Sequence, residues 1–342
     1  MKKLKFIFYI ISVILIYSCE DENTYVKPAV SNQDMEDFTS VWNRANEVYP
    51  FFELKRIDWD SIYIVYHPRV EAARDDEFYF VLHDLLTELK DGHIMYTSEG
   101  GGLVVPYIPH RSIKDKNVYS PFVVSKYFES ELLLTESETT EYGITPDNIG
   151  YIYLSNFLEK YLLKEFSGVI EYLKNTKGLI IDLRNNPGGD IVNVEAVVSR
   201  FITEPLEWPK IYFLGVRREM NPILPQGSFT YTNSVIVLIN GVSFSAAEVA
   251  PEIFKQLSNV TIVGDTTAGA AGSSSDRSQE TNSKYRLPSG KIVYIPTGHI
   301  KRYDGQHIEW NGVPPDIRVE QTENDIIKGI DKQLEFAINM LK

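Results

Sequence analysis

Apolar positions follow different periods along the chain, and the changes of period divide it. Met35, Phe38, Val41, Trp42 and Ala45 recur at steps of three and four, which predicts an amphipathic helix. Phe78, Phe80, Val81, Leu85, Leu86 and Leu89 predict a second. Between them Tyr49-Pro50 ends the first helix, and Asp60 is placed to cap a short one near Ile62. Past residue 97 the pattern loosens. Gly100, Gly101 and Gly102 lead into short β-like runs, including 122–124 and 132–134, among polar turns. From Ile149 strands and helices alternate: strand 151–154, helix 162–173, strand 178–183, helix 191–202, strand 234–239, helix 246–257 and strand 260–263. An additional strand at 211–214 interrupts them. That succession predicts an α/β fold. The chain divides accordingly into a helical N-terminal domain over 34–97, a small β-rich cap or linker region over 98–148, and a core over 149–342.

The first residues belong to neither pattern. Lys2, Lys3 and Lys5 precede an apolar run over 6–17, shorter than the roughly 20 residues a spanning helix needs. The run suits a signal h-region. It ends in Ser18-Cys19, which resembles the lipobox of bacterial lipoproteins, where the cysteine is acylated. The expectation is a signal peptide over 1–18, a polar tether over 19–33 that carries Pro28, and a lipid anchor at Cys19 in a bacterial cell envelope. The acidic cluster Glu20-Asp21-Glu22 reads as a solvated tether or as a surface-export signal. Cys19 is the only cysteine, so no internal disulfide is available. A net charge of -13, with no basic run beyond the first residues, argues against nucleic acid as a partner.

Four segments could carry chemistry. Ser243-Phe-Ser-Ala-Ala-Glu248 follows an apolar strand and opens a helix, which puts the Ser245 hydroxyl outside the sheet beside unpaired N–H groups that could hold an oxyanion. A plain N-cap serine would look the same. In Gly178-Leu-Ile-Ile-Asp-Leu-Arg-Asn-Asn-Pro-Gly-Gly189 a buried strand runs through Asp182 and Arg184 into paired glycines that allow close backbone approach, although Asn-Pro-Gly-Gly also makes ordinary turns. A serine nucleophile needs a base, and six histidines are available: His67, His83, His93, His110, His299 and His307. Gly92 suggests a turn holding His93 in a cleft. Glu309, before Trp310-Asn-Gly-Val-Pro-Pro-Asp316, could orient an imidazole as the acid of a triad does, or be one exposed glutamate among many.

Taken in order, these segments resemble the C-terminal processing peptidase and tricorn-core family of serine peptidases. Trp42 to Pro50, Asp58-Trp59-Asp60, Val263-Gly264-Asp265 and Leu287-Pro-Ser-Gly290 carry the likeness across most of the chain. The resemblance implies a crotonase-like (ββα) catalytic core, Ser245 as nucleophile, and an oxyanion hole from the N–H of Ala246 and of Gly188 or Gly189. In the processing branch a lysine activates the serine; here its position falls at Ala270, so that mechanism is not expected. The tricorn-like branch implies His93 as base and Glu309 as acid, acting on the ring directly or through another polar group. The 98–148 segment is too short for the PDZ domain of the processing branch. This layout is similar to nisin-resistance-type and retinoid-binding-protein-like members. The implied activity is hydrolysis of peptides or unfolded proteins without metal or cofactor. Two alternatives stay open: a non-catalytic carrier of an apolar ligand, which the retinoid-binding relatives imply, and an esterase that aims the same active site at another acyl compound.

Overall fold

The computed structural model describes residues 32–342 apart from 75, 76, 99, 159, 161 and 274–282. The expected signal segment, Cys19 and the tether up to residue 31 lie outside the described residues. A seven-stranded sheet forms the centre, in the order Ile317–Arg318, Val260–Gly264, Val235–Ile239, Leu179–Asp182, Gly150–Leu154, Thr140–Ile144 and Leu133–Leu134. Pairings among the first five strands are parallel, and the two at the far edge are antiparallel. Strand alternation sends Ile152, Leu154, Ile181, Val237 and Ile262 to one face, packed with the helices Leu162–Leu173, Ile191–Val198 and Ala246–Phe254. Tyr151, Ile180, Ile236, Leu238 and Val263 face the other side, under the helix Lys332–Leu341. Burial on both faces is why these strands read as unbroken apolar runs.

Leu179–Asp182 and Val235–Ile239 are parallel neighbours, so the segments that follow them leave the sheet at the same end. Those segments are the Asn-Pro-Gly-Gly turn and the Ser245 turn. Loops beyond the carboxyl ends of parallel strands are where α/β folds gather functional groups.

The helices Asn32–Val48, Phe52–Lys55, Trp59–Ala72 and Glu77–Thr87 form a second core, in which Phe38, Val41, Phe51, Trp59 and Leu85 pack with Leu287, Val293 and Ile295. Strand Met95–Thr97, two residues beyond His93, pairs with Ile292–Tyr294, Met95 opposite Tyr294. That antiparallel ladder ties the helical region to the core and carries His93 with it.

Two local expectations are corrected. Pro121–Ser125 is helical, not the β-like run expected at 122–124: extended Ser120 and Pro121 at the first position start a turn whose carbonyl at Ser120 accepts from Val123 and Val124. Val124 packs beneath the sheet. Asp58, rather than Asp60, caps the next helix by accepting from the Ser61 N–H at 3.1 Å, and that helix runs on to Ala72. The 98–148 strands are shared between sheets, with Leu103–Val104 against Met95–Thr97 and Leu133–Leu134 and Thr140–Ile144 on the central sheet.

Candidate active site

Ser245 ends the turn between Val235–Ile239 and Ala246–Phe254 with φ 57° and ψ -120°, a backbone conformation that costs a non-glycine residue energy and persists only where neighbours impose it. They do so here. The Ser245 N–H is shared by the Ala270 carbonyl at 3.2 Å and Glu248 Oε1 at 3.3 Å, and the Phe244 N–H donates to the Asn186 carbonyl at 2.9 Å. Ser243 Oγ donates to the Leu183 carbonyl at 2.8 Å. Buried Glu248 also accepts from Thr267 Oγ1, the Gly269 N–H and the Ala270 N–H, at 2.5, 2.7 and 2.8 Å. Burial pushes its carboxyl up to about 7 against those hydrogen bonds. Ala270, where the processing branch would place its lysine, serves this loop as a backbone acceptor.

The Ser245 hydroxyl lies 3.0 Å from His93 Nε2. His93 reaches it from the turn after Glu77–Thr87, where its own N–H donates to Asp91 Oδ1 at 2.8 Å. Its ring lies against Phe244, centroids 4.6 Å apart. A Cβ on Gly92 would come within 2.8 Å of the same Phe244 ring, so the close approach requires glycine. Burial lowers the imidazole pKa below its ordinary value, with Lys55 pushing the same way and Asp91 opposing. The ring is therefore neutral at neutral pH, the form that can accept a proton.

Gly188 has φ +90° and packs against Ser245 so tightly that a Cβ would sit 2.6 Å from the Phe244 carbonyl oxygen and 2.8 Å from the Ala246 nitrogen. Its own N–H donates to Asn186 Oδ1 at 2.8 Å. Gly189, at φ +145°, is pressed equally closely against the Phe157 backbone. Ala246 opens its helix, so its N–H has no carbonyl one turn back to bond.

Glu309 is buried and stands in this neighbourhood without touching the imidazole. Its Oε1 lies 2.6 Å from Lys55 Nζ, and its Oε2 accepts from the Ala271 N–H at 3.0 Å. Lys55 also lies 3.3 Å from Asp91 Oδ2, to which the Tyr49 hydroxyl donates at 3.0 Å. His93 Nδ1 is buried and meets no partner among the described residues. Glu309 thus reaches His93 only through Lys55 and Asp91. Neither Lys55 nor Tyr49 was singled out from the sequence, where one resembles a surface lysine on a four-residue helix and the other a helix-end aromatic. Asp91 had a signal, since it adjoins the Gly92-His93 turn.

Four of the remaining histidines lie elsewhere: His299 and His307 contact each other, ring centroids 4.8 Å apart, His83 bonds Tyr96, and His67 pairs with Glu71. His110 lines a cleft of about 230 Å³ with Gly92, Tyr107, Arg111, Glu309 and Trp310. Arg184 bonds both Asp182 and Asp331, which makes the three framework beneath the Asn-Pro-Gly-Gly turn.

A model of Peptidase family S41 matches residues 148–319, and one of the Tricorn protease C1 domain matches residues 31–87. The chain is 27% identical over 185 residues to the carboxy-terminal processing protease CtpA of Bacillus subtilis (strain 168), covering 54% of this chain and 37% of that one. It is 28% identical over 194 residues to the Tricorn protease of Thermoplasma acidophilum, covering 56% and 16%. It therefore spans less than half the length of either relative. A crystal structure from Parabacteroides merdae ATCC 43184, provisionally assigned as a peptidase, superposes with a TM-score of 0.76 at 26% identity over 91% of this chain and 97% of that one.

Proposed function

From the premise that the chain belongs to peptidase family S41, we propose that it is a serine peptidase in which Ser245 attacks a peptide carbonyl and His93 takes its proton. The observation that carries this reading is the 3.0 Å approach of a neutral imidazole to a hydroxyl on a strained strand-to-helix turn. As the tetrahedral intermediate forms, its oxygen turns toward the N–H groups of Ala246 and Gly189. Gly188 is not the donor, because its own N–H is committed to Asn186. The imidazolium then protonates the leaving amine, and water activated by the same ring releases the acyl group. With Glu309 away from the ring, this chemistry rests on a Ser–His pair, and Glu309 acts at one remove.

A fluorogenic peptide library tests the reading. Ser245→Ala and His93→Ala should each lose about three or more orders of magnitude in kcat/KM, and a fluorophosphonate should label the wild type at Ser245 alone. Undiminished turnover in either variant would refute it. No labelling, with tight binding of an apolar ligand, would point to a carrier; cleavage of esters but not amides would point to an esterase.

The anchor is proposed with it. The apolar run and Ser18-Cys19 support acylation of Cys19 and attachment to a bacterial envelope membrane, where the peptidase would act on peptides or unfolded proteins. Radiolabelled palmitate should enter the wild type and not Cys19→Ala, and the variant should move to the soluble fraction. Equal labelling of both would sink the anchor and leave the peptidase untouched.

A further inference from the structure

We propose that Lys55 is a positioning residue for the His93–Ser245 pair: held between Asp91 and Glu309, its ammonium locks the helical region onto the core and sets the charge the imidazole faces. The proposal rests on the peptidase reading above and assigns the base its support, which no carboxylate touching Nδ1 supplies.

The geometry argues it in three steps. First, the ammonium is committed. The Lys55 side chain is 0% exposed, as is that of Asp91, while that of Glu309 is 2% exposed. Nζ lies within 3.3 Å of Tyr49 Oη, the carbonyls of Leu89 and Lys90, Asp91 Oδ2 and Glu309 Oε1. Three of these contacts belong to the Leu89-Lys90-Asp91 segment that leads directly into His93. A buried charge is costly unless it is paired, and here two acids flank the cation.

Second, the contacts join two parts of the chain. Tyr49, Lys55 and Asp91 come from the helical region and Glu309 from the core, where its other oxygen holds the Ala271 N–H. Ala271 follows Ala270, whose carbonyl accepts from the Ser245 N–H. One ammonium therefore connects the backbone that presents the base with the backbone that presents the nucleophile.

Third, the cluster holds one cation and two carboxyl groups. Burial and the neighbouring Asp91 raise the affinity of Glu309 for a proton, against the pull of Lys55. The charged groups that bear on His93 are Asp91, which favours imidazolium, and Lys55, which disfavours it; Ser245 and the Phe244 ring contact it without charge. Removing Lys55 should raise the proton affinity of the base. Removing the charge of Asp91 takes away the group that favours imidazolium and should lower it.

The experiment is the pH dependence of kcat/KM on a fluorogenic peptide, together with the pH dependence of fluorophosphonate labelling at Ser245, in the full chain. Lys55→Met should reduce the plateau about 10²-fold through loss of alignment and move the acid limb to higher pH by about one unit. Asp91→Asn should move it to lower pH, while its remaining oxygen can still accept from the His93 N–H. Lys55→Met with Glu309→Gln should again move it up, because Asp91 then faces His93 without a cation. A merely structural role would lower stability or plateau and leave the limb in place, so unmoved limbs overturn the proposal. Should Lys55→Met fail to fold, Asp91→Asn decides: a limb that stays or rises overturns it. If wild-type turnover survives Ser245→Ala, the peptidase reading itself has failed. If turnover needs Ser245 and the limbs do not move, only the assignment of Lys55 fails.

Discussion

Two buried clusters, each of one cation and two carboxyl groups, stand in different parts of the molecule. Arg184 lies fully buried beneath the sheet end between Asp182 and Asp331. Its Nη2 donates to Asp182 Oδ2 at 2.6 Å and Asp331 Oδ2 at 2.9 Å, its Nη1 to Asp331 Oδ1 at 2.8 Å and Gln333 Oε1 at 3.2 Å, and its Nε to Asp182 Oδ1 at 2.9 Å. A planar fork fits two carboxylates in this way and cannot lose its proton. Lys55 presents a point charge instead, with three donors for five nearby oxygens, beside a ring that titrates. The same inventory thus serves two ends. Around Arg184 every donor is satisfied and the cluster is framework; around Lys55 the charge balance reaches the base.

Arg184→Met breaks this comparison most severely. It leaves Asp182 and Asp331 buried without their cation, and breaking such a set by removing one partner costs about 3–5 kcal/mol. Urea unfolding should show an unfolding free energy lower by that amount, while the acid limb of kcat/KM in the folded fraction stays where the wild type has it. A loss below about 1 kcal/mol would mean that the cluster is no framework, and a moved limb would erase the distinction between the two.

The same contrast explains what the sequence could and could not reveal. The strands and helices between Ile149 and Val263 that were expected are local: Ile180, Ile236 and their neighbours are buried on both faces, and the helix Leu162–Leu173 keeps one apolar stripe; the short strands beyond and the helix Lys332–Leu341 were not read. The strand-to-helix turn at Ser245 and the glycine pair at 188–189 were legible as geometry, because φ > 0 and close approach leave their mark in residue type. The run at 122–124 was misread because three apolar residues carry no period; Ser120-Pro121 was the better signal. Lys55 was invisible for another reason. Its partner Glu309 lies in a distant part of the chain, and nothing near Lys55 distinguishes a lysine that will be buried from one that will be solvated. Long-range pairing of charges is decided by the fold, after the local patterns have done their part.

Asp331→Asn is the smaller and sharper test. Asp331 has two tasks, receiving Arg184 and capping the helix Lys332–Leu341 by accepting from the Leu334 N–H at 2.9 Å. Asparagine keeps a carbonyl oxygen suited to the cap, and Asp182 still neutralises the guanidinium. What is lost is one charge-assisted contact and good satisfaction at one donor, about 1–2 kcal/mol, read as a modest fall in urea midpoint. Removing a negative charge here should also leave the acid limb of kcat/KM unmoved, whereas Asp91→Asn, the equivalent deletion in the other cluster, should lower it. Equal pH shifts from the two substitutions would mean that His93 senses total charge alone, and the placement of Lys55 beside it would explain nothing.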